Sequence, residues 1–353
     1  MELLLWDSLD RLKEMEDNSV DSIVCDPPYG ISFMWKKWDY DVPQKEVWAE
    51  CLRVLKPWWH ALIACWTRTQ HRMAVNIEDW GFEIRDIIAW VYGSWFPKSH
   101  NIGKAVDKLQ GNEREDLGRD PNQEWRTQNV WQIAGMEGGY GKWKERIVNI
   151  TKWTSPHEGR GTALKPACEY RTLCRKPLSE KTIAKNVLKH WTGGINIDEC
   201  RVGDSWARTN QWWWQWKMVW WTVKNGWVST EIKPQWRFPA NLIHDWSDEV
   251  VDLFPWEGDK SNARFFYCSK ASKSERNKGL EEQCTHPTVK PIKLMQYLCR
   301  LITPKWGTIL DPYVWSWSTG IGAKLWLFDF IGIEREEEYV ELARARIDAR
   351  ETE

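Results

Sequence analysis

The sequence predicts an α/β protein built on a doubly wound, mostly parallel sheet, and two observations support this fold class. Segments with helical periodicity alternate with short apolar segments between residues 47 and 90, as in successive units of such a sheet. Residues 310–334 then place an apolar strand ending in Asp311 before a helical pattern and a second apolar strand ending in Glu334. This order is typical of a cofactor-binding strand–loop–helix–strand unit.

The amino-terminal residues predict a strand that ends at Asp7 and a helix that continues to about Met15. The next strand begins at Val20 and is followed directly by the tetrapeptide Asp-Pro-Pro-Tyr at 26–29. Two adjacent prolines fix φ and remove two backbone donors, so this segment is a stiff loop. Because it follows a strand, it lies at the edge of the sheet where ligands bind in open α/β proteins.

A rigid carboxylate beside backbone carbonyls can accept both hydrogen bonds of an exocyclic amino group. Accepting them frees the nitrogen lone pair from the ring, and a neighbouring aromatic ring can stack on the base. A positively charged sulfonium methyl donor aligned behind the nitrogen would then be attacked in line. The tetrapeptide therefore indicates methyl transfer to an amino nitrogen, although a surface turn of the same sequence is an alternative.

Tryptophan is far too frequent and stands where turns need glycine. The chain has 30 tryptophans and 22 glycines. Trp58 and Trp59 follow Pro57 where a helix gives way to a strand, and Trp315 and Trp317 stand in the loop after Asp311, which must come close to its ligand. We interpret many of these positions as glycine in the functional protein.

One mechanism that would produce this pattern is a genetic code in which UGA means glycine, read under a code in which it means tryptophan; a deliberate substitution is the alternative. Only the UGA-encoded subset would change, so glycines such as Gly30 and Gly332 survive. Trp38, Trp48 and Trp90 have aromatic or helical surroundings and fit as genuine tryptophans.

Charge and cysteine usage narrow the class of protein. The net charge is −1, but residues 142–190 contain twelve Lys or Arg and four Asp or Glu, which suits a surface that contacts a nucleic-acid backbone or a solvated charged face. The nine cysteines are scattered singly, so neither disulfides nor a metal site is expected. Without a transmembrane run or a secretion signal, a cytoplasmic protein is expected.

The motifs resemble those of the S-adenosyl-L-methionine-dependent methyltransferases that modify adenine N6 or cytosine N4 in DNA. The resemblance rests on DPPYG at 26–30, HPTVKP at 286–291, LDPYVWSWSTG at 310–320 and FIGIE at 330–334. The catalytic loop comes first and the cofactor loop last, as in the permuted β group of that family. The resemblance implies the Rossmann-like methyltransferase fold, double-stranded DNA as substrate and S-adenosyl-L-methionine as cofactor.

The family roles carry over to matching positions. The catalytic loop corresponds to Asp26, Pro27, Pro28 and Tyr29, in which the Asp26 carboxylate and the Pro27 carbonyl hold the amino group and Tyr29 stacks on the flipped base. The positions that match donor-binding residues are Asp7, Thr288, Lys290, Asp311, Trp315, Ser316, Trp317, Thr319 and Glu334.

Among the donor-binding positions, Glu334 matches the acid that binds the ribose hydroxyls, and Thr288 and Lys290 match the motif that closes over the methionine part. Trp315 and Trp317 depart from the family's DPFxGSGxT pattern. If the functional protein has tryptophan at both positions, the two indoles are expected to fill the donor site and to strain the backbone.

We predict three segments: a catalytic half at 1–104, a target-recognition insertion at 105–240 and a donor-binding half at 241–353. The insertion carries most of the basic excess. Phosphate contacts that position DNA without reading it are assigned to Arg160, Lys165, Arg171, Arg175 and Lys176.

The activity predicted is adenine-N6 methylation of a specific DNA sequence, with cytosine N4 as an alternative. Asp26 favours adenine, since Ser is commoner at this position in cytosine-N4 enzymes. Methylation of RNA or of a protein glutamine would usually show Asn there. A DNA-binding relative without catalysis is the third reading. The recognition sequence, dimerisation and a partner restriction endonuclease stay open.

Overall fold

The computed structural model of the 353-residue chain describes residues 1–31, 39–93, 99–119, 128–131, 143–146, 149–152, 156–191, 193–201, 238–252, 256–257, 260–261, 268–280, 289–315 and 317–349. The chain forms two compact units. The main unit contains Met1–Ser94 and Ala167–Glu353, and the second unit contains Trp95–Pro166.

Strands and helices alternate through most of the main unit. The elements of the amino-terminal half are β1 (Glu2–Leu5), α1 (Ser8–Glu14), β2 (Ser22–Cys25), α2 (Lys45–Val54), β3 (His60–Trp66), α3 (Gln70–Asp79), β4 (Glu83–Val91), α4 (Ile102–Gln110), β5 (Glu115–Arg119), β6 (Gln128–Trp131), β7 (Trp143–Arg146) and β8 (Asn149–Lys152). They continue with β9 (Cys168–Arg175), α5 (Ile183–His190), β10 (Leu242–His244), α6 (Asp248–Val251), β11 (Trp256–Glu257), β12 (Lys260–Ser261), α7 (Lys273–Asn277), α8 (Ile292–Ile302), β13 (Thr308–Asp311), α9 (Ser318–Lys324), β14 (Asp329–Glu334) and α10 (Glu337–Asp348). In the part of the chain that the structure describes, no helix is both long and apolar enough to cross a membrane.

The main unit is built on an eight-stranded sheet with the strand order β1-β14-β13-β2-β3-β9-β4-β10. Every neighbouring pair is parallel except the two pairs that β9 makes with β3 and β4. The crossovers from β2 to β3 and from β13 to β14 run in opposite directions along the sheet. Since such crossovers are right-handed, their helices α2 and α9 cover opposite faces. The predicted α/β class with a doubly wound, mostly parallel sheet is confirmed.

The order of the strands brings three predicted site residues to one edge. β13 lies between β14 and β2, with Leu310 opposite Ile23. Asp26, Asp311 and Glu334 therefore follow or end three adjacent parallel strands at their carboxyl ends. The core beneath them is formed by apolar side chains of β2, β3 and the helices α1 to α3, including Leu12, Ile23, Trp48, Ile63 and Met73.

The second unit is smaller than the predicted insertion of 105–240. It ends at Pro166, and the next residues form β9, which pairs along its whole length with β3 and β4 in the main sheet. Residues 168–175 of the predicted insertion thus belong to the main sheet, and the extent of the target-recognition region at 105–240 stays a prediction. Much of the remainder, 202–237, lies outside the described residues.

Helix α4 and two strand pairs, β5 with β8 and β6 with β7, form the second unit. A buried charge cluster connects its helix to its strands. Arg114 binds Asp107 of α4, and its guanidinium also lies 2.8 Å from a carboxylate oxygen of Glu158. Asp107 is the buried member of this cluster, and because Arg114 compensates its charge, the cluster is a structural feature of this unit.

Left-handed backbone is concentrated at tryptophan. The described residues include seven non-glycine positions with positive φ, and five of them are Trp58, Trp191, Trp246, Trp306 and Trp317. A bulky residue costs about 1–2 kcal/mol in this conformation, which glycine adopts freely. Trp48 and Trp90 instead lie buried on α2 and β4 with regular backbone, and Trp38 lies outside the described residues. The glycine hypothesis thus finds left-handed backbone at Trp58 and Trp317 but not at Trp59 or Trp315.

Candidate active site

The loop that follows β2, residues 26–31 and named the β2 loop, is held by a buried carboxylate outside the motif. Asp39 is 1% exposed, and its Oδ1 accepts the backbone N–H groups of Tyr29 at 2.7 Å and Gly30 at 2.9 Å. Gly30 has a φ of 66°, and a Cβ there would lie 2.8 Å from the backbone nitrogen of Val42. Sequence reasoning missed Asp39, because nothing in the tetrapeptide indicates which later residue holds it.

Both carboxylate oxygens of Asp26 have donors. Asp26 is 6% exposed; the Tyr29 hydroxyl donates to its Oδ1, and the Lys290 ammonium lies 3.1 Å from its Oδ2. Burial, together with the charges of Asp26 and Glu169, raises the pKa of Tyr29 well above its ordinary value, so the phenol stays protonated and able to donate. Pro27 and Pro28 keep Asp26 and Tyr29 at a fixed spacing.

A second carboxylate shares the Lys290 ammonium. Glu169, the second residue of β9, is 8% exposed, and its Oε2 lies 3.2 Å from Lys290 Nζ. Burial alone would raise the pKa of Glu169, but Lys290 and Arg171 outweigh it and hold that pKa below its ordinary value. Burial lowers the pKa of Lys290, and Asp26 and Glu169 reverse this, so that the net shift is upward. Sequence reasoning missed Glu169, which lies in a segment predicted to belong to the insertion.

The loop that follows β13, residues 311–317 and named the β13 loop, begins with a buried acid. Asp311 is 2% exposed and accepts the backbone N–H of Tyr313 at 3.0 Å. Burial raises the pKa of Asp311 to about 7 and outweighs the hydrogen bonds from Thr319 and Tyr313. At the start of α9, the Ser318 hydroxyl donates to the backbone carbonyl of Lys290 at 2.6 Å, which fixes the lysine backbone to this loop.

The structure separates the two tryptophans of the β13 loop. Trp317 has a φ of 59°, is 2% exposed and packs edge-on against Phe330 of β14, so its indole lies in the interior. Trp315 has no left-handed backbone, and its indole Nε1 donates to the backbone carbonyl of Asp26 at 3.3 Å. The expected backbone strain is therefore found only at Trp317, and only the indole of Trp315 reaches the β2 loop.

Glu334 and Asp7 follow the paired strands β14 and β1. Burial raises the pKa of Glu334 to about 7, although the backbone N–H groups of Glu336 and Arg335 lower it. Asp7 is exposed and caps helix α1 by accepting the backbone N–H of Leu9 at 2.9 Å. The structure thus places Asp7 at the expected strand end. Thr288 and Ser316, also predicted to bind the donor, lie outside the described residues.

The chain is similar to known DNA methylases. The family profile described as DNA methylase, of the N6/N4 type, matches residues 20–345. The type II methyltransferase M.HindIII of Haemophilus influenzae is 21% identical over 97% of this chain and 93% of its own. The type II methyltransferase M2.DpnII of Streptococcus pneumoniae is 44% identical over 64 residues, 18% of this chain and 24% of that protein. The solved structure of an M1.HpyAVI–SAM complex covers 98% of both chains, with 16% identity and a TM-score of 0.46.

The chain belongs to the N6/N4 DNA methylase family. Methylases of this family take their methyl group from S-adenosyl-L-methionine. The acidic residues of this methylase fit such a donor: Asp311 and Glu334 are buried carboxyls with raised pKa values, which a ligand with hydroxyl donors and a positive charge would relieve. Trp315 does not fit, since its indole crosses from the β13 loop to the Asp26 carbonyl.

Three of the basic residues assigned to DNA contact other groups of the protein in the structure. Arg171 is 1% exposed, and its guanidinium lies 5.5 Å from the ring centre of Trp90. Arg175 binds Glu83 at 2.7 Å at the other end of β9, opposite His60, and is therefore remote from the carboxyl ends of the parallel strands.

The Lys176 amine donates to the side chain of Asn18 and to backbone carbonyls of Arg53 and Leu55. These protein contacts do not test the predicted phosphate contacts of Arg171, Arg175 and Lys176, which stay predictions. Arg160 and Lys165 are exposed in the second unit and keep the predicted role as a proposal.

Proposed function

We propose that this methylase transfers a methyl group to the N6 amino group of adenine in a specific sequence of double-stranded DNA, with the target base flipped out of the helix. The observation that carries the proposal is the buried Asp26 carboxylate, kept between a protonated Tyr29 and the Lys290 ammonium in a loop stiffened by two prolines.

The chain's own residues supply positioning and electrostatics. The Asp26 carboxylate and the Pro27 carbonyl accept the two N–H bonds of the amino group, and this leaves the nitrogen lone pair free to attack. The Tyr29 ring stacks on the flipped base. S-adenosyl-L-methionine supplies an electrophilic methyl group. No strong base is required, since the nitrogen loses its proton only after it has become cationic, and Asp26 is in place to receive it.

Adenine is favoured over cytosine by the residue at position 26. An aspartate accepts hydrogen bonds more strongly than the serine commoner in cytosine-N4 enzymes, because its hydrogen bonds are charge-assisted. Cytosine N4 is the alternative substrate, since its amino group presents the same two N–H donors.

A second candidate function is DNA binding without catalysis. It is favoured by a specific contact, the hydrogen bond from Trp315 Nε1 to the Asp26 carbonyl. The Trp315 indole then connects the β13 loop, assigned to the methyl donor, with the β2 loop, assigned to the target base. Such a connection would obstruct methyl transfer between the two. A chain that has tryptophan at 315 in its native source would then be an inactive relative.

DNA binding itself is assigned to the second unit and the segments around it. Arg160 and Lys165 are exposed cations there and are proposed to contact phosphates. The same proposal assigns target recognition to the insertion of 105–240. It also includes a cytoplasmic location, a homodimer and a partner restriction endonuclease.

The test compares the protein that has tryptophan at 315 and 317 with the double variant Trp315→Gly/Trp317→Gly. Each protein is incubated with unmethylated plasmid DNA and methyl-labelled S-adenosyl-L-methionine, and the digested nucleosides are separated by mass spectrometry. N6-methyldeoxyadenosine supports the proposal, N4-methyldeoxycytidine supports the alternative substrate, and DNA retention without methylation supports the inactive relative. Asp26→Ala in the same background is the control that must abolish any label.

A further inference from the structure

Lys290 lies between two buried carboxylates. Its Nζ is 3.1 Å from Asp26 Oδ2 and 3.2 Å from Glu169 Oε2, and its side chain is 4% exposed. Of the two acids, only Asp26 belongs to the catalytic motif. Glu169 comes from β9, the antiparallel strand of the sheet.

The position of Glu169 follows from the direction of β9. Because β9 is antiparallel to β3, its first residues lie at the carboxyl end of that strand, with Glu169 opposite Trp66. The Tyr92 hydroxyl lies 3.5 Å from Glu169 Oε1, and Arg171 Nη2 lies 3.8 Å from Oε2. Glu169 is therefore held on a rigid strand, whereas Asp26 is in a loop.

Both oxygens of Asp26 already have a donor, the Tyr29 hydroxyl at Oδ1 and the Lys290 ammonium near Oδ2, so a substrate amino group would be an additional donor to the same carboxylate. The proposed reaction requires Asp26 to accept a hydrogen bond from the target amino group. Asp26 accepts that bond more strongly if the Lys290 ammonium moves away, since the carboxylate charge is then shared with fewer donors. A buried ammonium cannot leave a carboxylate at low cost unless another carboxylate receives it.

We propose that Glu169 is a positioning residue, which receives the Lys290 ammonium when Asp26 turns to the target amino group. This inference rests on the proposed function, and it identifies Glu169 as the residue that makes Asp26 available to the target amino group. Glu169 already lies within contact distance of the ammonium, so the exchange needs a shift of the lysine end group alone. Arg171 and Tyr92 keep the acceptor in place while the exchange occurs.

The experiment uses the chain with Trp315→Gly/Trp317→Gly as parent. Glu169→Gln is expected to lower kcat at least about tenfold, because Lys290 then has Asp26 as its remaining carboxylate and competes with the substrate. KM for DNA and the Kd for S-adenosyl-L-methionine are expected to stay within about twofold of the parent, since neither binding step involves Glu169.

Two further variants separate this role from a structural one. Glu169→Asp keeps the charge and is expected to recover most of kcat. Glu169→Gln/Lys290→Met removes the competing ammonium and is expected to have a higher kcat than Glu169→Gln alone. Its kcat is measured at saturating S-adenosyl-L-methionine, because Lys290 is also assigned to donor binding. Purely structural damage would accumulate in the double variant, so a slower double variant overturns the proposal.

Three other results also count against it: an unchanged kcat in Glu169→Gln, no recovery in Glu169→Asp, or a parallel loss of donor binding. If the parent methylates no DNA while Glu169→Gln leaves donor binding intact, the proposed function has failed and this inference falls with it. If the parent is active and Glu169→Gln matches it, only this inference has failed.

Discussion

The β2 loop and the β13 loop lie on neighbouring strands and meet the same backbone requirement with opposite residues. Gly30 takes a φ of 66° in the first, and Trp317 takes a φ of 59° in the second. At Gly30 a Cβ would meet backbone atoms at under 3 Å, whereas Trp317 places a whole indole against Phe330. The comparison teaches that the surrounding fold, rather than the local residue, sets the backbone of these loops.

The two loops also differ in how they treat a buried acid. Asp26 has a lysine ammonium and a phenol as donors. Asp311 is held by Thr319 and the backbone of Tyr313, and burial raises its pKa to about 7. In the β2 loop, Lys290 compensates the charge of Asp26 within the protein. In the β13 loop, Asp311 has no such cation among the described residues and favours a cationic ligand.

The largest expected effect comes from placing a Cβ in the β2 loop. Gly30→Ala should abolish methyl transfer and lower the free energy of unfolding by about 3 kcal/mol or more, because φ is positive and Val42 N lies 2.8 Å from the new atom. Chemical denaturation and the methylation assay measure both effects. Gly111→Ala is the matched control, since its left-handed backbone has open space and should cost only about 1 kcal/mol. Equal costs at the two sites would show that crowding is unimportant.

The second prediction tests the uncompensated acid. Asp311 has a pKa of about 7 in the folded protein against an ordinary value of 3.8, so its contribution to stability is complete below about pH 4 and is lost as pH rises towards 7. The loss is on the order of 1 kcal/mol per pH unit. Asp311→Asn should remove it, so the variant gains stability relative to the parent between pH 5 and pH 7.5 in urea unfolding. Parallel pH dependences of the two proteins would contradict the prediction.

The third prediction concerns access to the β13 loop. Trp315→Gly should tighten S-adenosyl-L-methionine binding at least about tenfold in calorimetry, because the indole no longer bonds to the Asp26 carbonyl. Trp306→Gly is the matched control: Trp306 has left-handed backbone, is 73% exposed and precedes β13 at its other end. Equal affinity gains in both variants would mean that the indole of Trp315 is not the obstacle.

The smallest effect is expected at a helix end. The C-cap residue that follows helix α5 is Trp191, with a φ of 52°, and the C-cap residue that follows helix α4 is Gly111, with a φ of 72°. The Trp191 side chain is exposed, so Trp191→Gly should raise the free energy of unfolding by about 1 kcal/mol. Thermal unfolding measures the gain, and Trp90→Gly should be destabilising by contrast, since Trp90 is buried on regular backbone. A loss of stability in Trp191→Gly would contradict the claim that the backbone at position 191 favours glycine.

Much of the fold and part of the site could be predicted because local pattern and strand ends carry that information. The alternation of apolar strands with helices gives the sheet, and acids at strand ends come together wherever parallel strands are neighbours. Asp26, Asp311 and Glu334 are such residues. The left-handed turns at Trp58 and Trp317 were also predictable. The neighbouring residues still indicate a turn at these positions, whichever residue occupies them.

The strand β9 could not be predicted from its own residues. Glu169, Arg171 and Arg175 give it the appearance of an exposed basic segment, and the sequence does not show that its two neighbours bury it. For the same reason Arg171, Arg175 and Lys176 were assigned to DNA. The pairing of Lys290 with Glu169 depends on tertiary contacts between distant segments, which a motif does not encode.

The pairing of the sheet also has a kinetic consequence. Glu2 pairs with Ile331 and Ile23 with Leu310, so β1 and one edge of β2 find their partners among the last strands of the chain, while the other edge of β2 pairs with β3. During synthesis β1 and β2 leave the ribosome with open apolar edges and wait for nearly the whole chain, a high contact order that slows folding and exposes the intermediate to aggregation. A nascent chain halted before β13 would contain the complete Asp-Pro-Pro-Tyr sequence, with Asp39 to hold the loop, and yet lack one of the two strands that pair with β2.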